Sequence, residues 1–151
     1  MKRRPSPTRE RLEALTATCR RAGISVTPQR LAVYEALCGS FDHPSPEVLH
    51  ARLRASMPTL SLATVYKSLH LLAELGVAKE VSVAGDNSRR FDANVDRHHH
   101  LVCEECHAVV DLYDATLDEV AIPKRLPGFE PRSVHVQIVG LCAACGGSAR
   151  R

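Results

Sequence analysis

Apolar residues recur every three to four positions through the first half of the chain, the period of an amphipathic helix. Leu12, Leu15 and Cys19 form one stripe and predict a helix from about Thr8 to Arg21, ended by Gly23. Thr27 is a capping residue and Pro28 has the fixed φ of a first helical position, so a second helix is predicted over 28–39. Its apolar side carries Leu31, Val33, Tyr34, Leu37 and Cys38. The pair His43-Pro44 breaks the pattern. Ser45-Pro46 restarts it for a third helix reaching about Met57, and Ser61 caps a fourth from Leu62 to Leu75, stopped by Gly76. After Gly76 the period falls to two. Val77–Val83 reads as a strand, 84–88 as a turn and Arg89–Ala93 as a returning strand. Helices followed by a hairpin predict a winged helix-turn-helix domain over 1–93, with residues 1–7 frayed. From 94 to 151 the pattern is mostly strands: His98–Cys103, Ala108–Leu112 and a long Phe129–Val139, with a short helix at Ala115–Ala121. The expected class is therefore α+β, with a hinge near 93–96 and a small α/β domain after it.

Composition narrows the function. The chain has 151 residues, 44% apolar and 25% charged, which is ordinary for a folded protein. A domain of ~60 residues buries only about 60% of its unfolded surface, so the second domain is expected to need a metal or a partner. No apolar run approaches the ~20 residues of a membrane span. The basic Met1–Pro5 has no apolar stretch behind it, so a secretory signal is not expected and the cytoplasm is the expected location. Aromatics are 4% and Trp is absent, which argues against a stacking platform for single strands. Charge is uneven: residues 1–88 hold 12 Lys and Arg against 8 Asp and Glu, and residues 89–151 hold 8 against 9. The basic first half is consistent with a polyanion partner or with a solvated basic helix.

Four of the six cysteines form Cys103-x-x-Cys106 and Cys142-x-x-Cys145, with 35 residues between the pairs. Two such turns, each at a strand end, offer four thiolates to one Zn²⁺ in a closed and therefore structural site. A redox dithiol is the competing reading, but the expected βαβ context is missing. Cys19 and Cys38 lie in helical stripes and read as small buried hydrophobes. Beside the first pair is His98-His99-His100. Alternation puts His98 and His100 on one face of a strand and His99 on the other. Such a run is either a ligand set or a solvated face. Asp92 and Asp111 lie where they could join it. His43, at a helix break, reads on its own as a polar residue flanking a helix.

In order, Val26-Thr27-Pro28-Gln29-Arg30, His43-Pro44, Ser61–Tyr66, Arg90-Phe91-Asp92, His98–Cys106 and Gly140–Cys145 resemble the ferric uptake regulator family of metal-dependent transcription factors. The likeness spans about residues 10–146. It implies a homodimeric repressor with an N-terminal winged helix, a C-terminal dimerisation domain and a regulatory metal at their junction. The positions matching the family's regulatory ligands are His43, Asp92, His98, His100 and Asp111, and the cysteines match its structural zinc ligands. Iron-sensing members commonly carry Glu where this chain has Asp92 and Asp111, whereas the peroxide-responsive branch carries Asp at both. The resemblance thus implies a regulatory Fe²⁺ or Mn²⁺, with His43 and His98 oxidised in the iron form. A repressor of iron or zinc uptake on the same scaffold is the alternative. The chain departs from the family at Arg97, where several relatives have His, and at His107, where Gly is usual. A further metal site from His99, Asp118 and His135 is doubtful, because His135 is one strand residue out of step.

In a helix-turn-helix the second helix enters the major groove. Here that is Leu62–Leu75, whose Leu62, Val65, Leu69 and Leu72 face inward. Lys67 is the candidate base or phosphate contact, Tyr66 a candidate contact to a thymine methyl, and Ser61, Thr64 and Arg30 the candidate phosphate contacts. Arg89 and Arg90 reach the minor groove or pair with acids. An iron oxygenase built on His-x-His plus Asp is disfavoured, since five candidate ligands leave little room for substrate. A zinc module without DNA affinity is disfavoured by the wing and the basic arm.

Overall fold

A computed structural model describes residues 9–123, 126–132 and 134–147. The expected fraying of 1–7 and the helix start at Thr8 lie outside those residues. The chain separates into two compact units, one ending at Val95 and the other starting at Asp96. Among the described residues no helix is long and apolar enough to cross a membrane.

The first unit contains α1 (Arg9–Arg21), α2 (Pro28–Cys38), α3 (Pro46–Leu53), α4 (Leu62–Glu74), β1 (Lys79–Val83) and β2 (Asp86–Asp92). Three helix starts share one device. The hydroxyls of Thr27, Ser45 and Ser61 accept the backbone N–H groups of Arg30, Val48 and Thr64 at 3.2, 3.4 and 3.1 Å. Each satisfies an N–H that the helix itself leaves without a partner. Pro28 and Pro46 follow two of these caps. The apolar stripes meet in one core of Leu15, Val33, Leu37, Leu49, Val65, Leu69, Leu72 and Phe91 among others. β1 and β2 pair antiparallel, Lys79 opposite Asp92 and Glu80 opposite Phe91. The Phe91 N–H donates to the Pro44 carbonyl at 3.1 Å, tying the hairpin exit to the loop before α3.

The second unit contains β3 (His99–Cys103), β4 (Val109–Leu112), α5 (Ala115–Asp118), β5 (Gln137–Gly140) and α6 (Ala143–Gly146). Its sheet has the order β4-β3-β5, with β4 antiparallel and β5 parallel to the central β3.

Several boundaries differ from the sequence expectation. α3 stops at Leu53, not Met57, because Pro58 disfavours helical backbone at the residue before it. α5 stops at Asp118, not Ala121; Val120 and Ile122 are β-branched and Pro123 follows. β2 begins at Asp86, because Ala84-Gly85 alone makes the turn, with Gly85 at φ 78°. The long strand expected over Phe129–Val139 is confined to Gln137–Gly140. Pro131 has no N–H to give to a ladder, and the five-residue β3 offers β5 only the four rungs from His100 to Cys103.

Candidate metal centres and DNA-reading surface

β3 delivers Cys103 to its end, and the turn after it brings Cys106 back: His107 N–H donates to the Cys103 carbonyl and Cys103 N–H to the Ala108 carbonyl, both at 2.9 Å. His107 itself stands at φ 56°, a left-handed conformation that glycine adopts without cost. The parallel β5 ends with Gly140 opposite Cys103, so Cys142 arrives beside the first pair. The Cys142 N–H points at the Cys103 sulfur at 3.4 Å. Cys142 caps α6, whose first turn returns Cys145. All four sulfurs lie within 4.8 Å of one another. A tetrahedral zinc with bonds near 2.3 Å needs sulfurs about 3.8 Å apart, and Cys106 Sγ and Cys142 Sγ are 3.7 Å apart. The backbone N–H groups of Cys106 and Cys142 lower the Cys103 pKa to about 6, which favours the thiolate a metal binds. Cys145, hydrogen-bonded to the sulfurs of Cys142 and Cys106, is pushed up to about 12. The donor set and its spacing fit a structural zinc.

The five residues expected at a regulatory metal divide between the two units. In the first, His43 Nε2 is 3.3 Å from Asp92 Oδ2, and both side chains are essentially fully buried. The other Asp92 oxygen accepts the Asn94 N–H at 2.7 Å. His43 stands at φ 49°. A non-glycine residue held there costs of order 1–3 kcal/mol and marks a place where side-chain position outweighs backbone comfort. In the second unit, His98 Nε2 and His100 Nε2 are 3.0 Å apart. Asp111, opposite His100 in the β3–β4 register, puts Oδ1 3.6 Å from His98 Nε2 and 3.9 Å from His100 Nε2. His98 Nδ1 lies 2.8 Å from the Asp96 carbonyl. With Nδ1–H donating there, the Nε2 lone pair is left facing the cluster. Two buried imidazoles and a carboxylate within one unit form a mixed nitrogen and oxygen set suited to Fe²⁺ or Mn²⁺.

On the opposite face of β3, His99 is buried, not solvated, and its Nε2 meets Asp118 Oδ1 at 3.1 Å. Arg97 Nε meets the same oxygen at 3.2 Å. His135 is exposed, and the described residues bring no third ligand to His99 and Asp118. Cys19 and Cys38 are buried in the core.

The candidate DNA contacts line α4 and its approaches. Val65, Leu69 and Leu72 are buried, as is Ser68; Leu62 is half-buried. Lys67 is exposed. The Ser61 and Thr64 hydroxyls are 2.8 Å apart at the helix start. Tyr66 donates its phenol to Glu47 at 2.5 Å, which holds the Glu47 carboxyl below its ordinary range and the phenol above its own. Arg30 donates to the Ser25 carbonyl, so part of its guanidinium is already engaged. On the wing, Arg90 pairs with Asp86 at 2.8 Å and Arg89 with Glu80 at 3.5 Å.

Some functional neighbours escape sequence reasoning. Glu47 and Tyr66 meet across two helices, with no local signal. His70 packs edge-on against Phe91 and lies 3.3 Å from an Arg89 nitrogen. Tyr113 lies against His98, ring centroids 5.7 Å apart; its position two residues after Asp111 on a strand is a signal that alternation supplies.

Residues 21–139 match the model of the ferric uptake regulator family. The chain is 36% identical over 135 residues to the peroxide-responsive repressor PerR of Staphylococcus epidermidis, covering 89% of each, and 35% identical to the PerR of Staphylococcus aureus, covering 89% and 90%. Its fold is similar to that of the Helicobacter pylori ferric uptake regulator Fur, described as having three functional metal binding sites, at TM-score 0.77, 22% identity and 97% coverage of both chains. It is also similar to PerR of Streptococcus pyogenes, at TM-score 0.54 and 24% identity, covering 96% and 98%. The chain belongs to the ferric uptake regulator family of metal-responsive transcription regulators.

Proposed function

We propose that this chain is a homodimeric repressor that holds double-stranded operator DNA while a regulatory Fe²⁺ or Mn²⁺ is bound, and releases it when peroxide oxidises His43 or His98 in the iron form. Cys103, Cys106, Cys142 and Cys145 hold zinc and keep the second unit folded. His43 and Asp92 hold the regulatory ion from the first unit, and His98, His100 and Asp111 from the second. Ligands drawn from both sides fix the angle between the DNA-reading and pairing modules. Only one angle presents two recognition helices a helical turn apart, ~34 Å on duplex DNA. Moving that equilibrium from 1:99 to 99:1 takes roughly 5.5 kcal/mol, within reach of five coordinate bonds. Lys67 and Tyr66 read base edges, and Ser61, Thr64 and Arg30 touch phosphates. Such a regulator works in the cytoplasm.

The donor set carries this reading: three buried imidazoles with aspartate at both carboxylate positions. The similarity to proteins named peroxide-responsive repressors supports it. Bound ferrous iron supplies electrons to peroxide. His43 and His98, as its ligands, lie next to an oxidant formed there, and an imidazole carrying an extra oxygen is a poorer donor. Footprinting tests the reading. The iron complex is expected to leave DNA on peroxide addition and the manganese complex to stay. Equal release from both overturns oxidation through bound iron, and retention by both returns the protein to the alternative, a repressor of iron or zinc uptake that responds to metal level and survives peroxide.

A further inference from the structure

His98 has an aromatic neighbour that the proposed sensing chemistry does not use. Tyr113 follows β4 two residues after Asp111, so strand alternation turns both toward the same face. It also falls opposite His98 if the register His99–Leu112 is extended by one pair. The two rings pack at 5.7 Å between centroids and 35° between planes, within the range of direct aromatic contact. The His98 side chain is only 2% exposed, so an oxidant generated beside it has few exits through water. The His100 ring, 4.7 Å from His98, forms another wall. A phenol is oxidised more readily than an imidazole and carries two activated ortho C–H positions.

We infer that Tyr113 is a second peroxide-oxidation site, converted to 3,4-dihydroxyphenylalanine when iron sits on His98, His100 and Asp111. This rests on the iron site proposed above. One peroxide is consumed. Its O–O bond breaks, one oxygen enters a ring C–H ortho to the phenol and the other leaves as water. Iron held by His98, His100 and Asp111 would supply the one-electron reduction that breaks the O–O bond. The displaced ring hydrogen would leave as a proton to the second peroxide oxygen, and overall the ring gives two electrons to one peroxide and stays aromatic. Tyr113 and His98 therefore compete for the same oxidant, and the tyrosine sets how much peroxide the histidine must meet before it is modified.

The test uses the full chain with zinc in place, loaded with Fe²⁺ or Mn²⁺ under anaerobic conditions and given limiting hydrogen peroxide. Fragment-ion mapping locates added oxygen atoms, and a catechol-specific redox stain identifies the product on Tyr113. The expected result is one added oxygen on Tyr113, with catechol staining, in the iron form and none in the manganese form. Tyr113→Leu should lose the stain and raise the fraction of His98 oxidised by the same peroxide dose. Oxygen on His98 or His43 with Tyr113 unmodified overturns this inference and leaves peroxide sensing standing. Equal modification of Tyr113 with both metals also overturns it. No added oxygen on any of the three overturns both.

Discussion

The two units of this chain bury different things. In the first, every helix and the hairpin contribute apolar side chains to one core, from Leu15 through Leu49 and Leu69 to Phe91. In the second, the buried residues among those described are Val102, Cys103 and Val109 together with His98, His99 and His100. Many of its larger apolar residues lie outside: Leu101, Val120, Ile122, Phe129, Ile138 and Leu141 are exposed. Leu101, Val110, Ile138 and Leu141 line an open apolar trough of about 420 Å³ against Cys103 and Cys142. Apolar burial dominates the first unit, which also encloses His43 and Asp92. The second has the donors for coordination and an uncovered apolar face, which the proposed dimer partner would bury.

Metal removal should break this contrast most strongly. Structural zinc contributes apparent binding free energies of about 10–16 kcal/mol in small domains that cannot fold without it. Stripping zinc with a strong chelator, or Cys142→Ser, is expected to erase hydrogen-exchange protection in β3, β4 and β5. Protection in α2 and α4 should persist. Equal loss in both units would show that the first does not stand on its own core. The converse perturbation is Leu69→Ala. Leu69 is fully buried, and such truncations cost about 2–5 kcal/mol with the size set by how far the site collapses. Thermal unfolding of the first unit should shift down while zinc content stays at one per chain.

Legibility in the sequence follows the same divide. The helices of the first unit were readable because a 3.6-residue stripe, a hydroxyl cap and a following proline each point to the same boundary, as at Thr27-Pro28 and Ser45-Pro46. The hairpin was readable from the change of period at Gly76. The cysteine quartet was readable because its spacing is a chemical constraint, and the structure brings the four sulfurs together. The second unit is less legible. Alternation over Phe129–Val139 looks like a long strand, but ladder length is set by β3, a partner remote in sequence. His99 illustrates the same limit. Alternation puts it opposite His98 and His100, yet whether that face is wet depends on Asp118, carried by α5, and on Arg97, just before β3. His43 carried no local signal of its chemistry; only the family likeness raised it, and its left-handed backbone is visible only in three dimensions.

A smaller effect is expected from single donors of the proposed regulatory set. His100→Ala leaves β3 and the zinc cysteines in place but removes one imidazole from the pair with His98. Mn²⁺ affinity should fall at least about tenfold, as losses around metal sites commonly do, and metal-dependent DNA retention should fall with it. Titration calorimetry with Mn²⁺ on zinc-loaded protein measures this. Unchanged affinity would remove His100 from the ligand set.

The smallest effect belongs to the wing, where the first unit departs from its own rule and uses charge. Asp86 accepts the Ser88 N–H at 2.8 Å on one oxygen and the Ser88 hydroxyl and Arg90 guanidinium, at 2.7 and 2.8 Å, on the other. The Ser88 hydroxyl and N–H, together with Arg90, hold its carboxyl well below the ordinary carboxylate range. A carboxyl depressed on folding stabilises the folded form above its unfolded pKa of about 3.9 and loses that contribution as pH falls toward the folded value. Exposed ion pairs are worth about 0–1 kcal/mol, and this one is only partly sheltered. Asp86→Asn is therefore expected to cost about 1 kcal/mol or less at pH 7. The difference from the unsubstituted chain should narrow as urea unfolding is repeated from pH 5 down to pH 3. A difference that stays constant over that range would mean that Asp86 acts through turn geometry, which asparagine can reproduce only in part, and not through its charge.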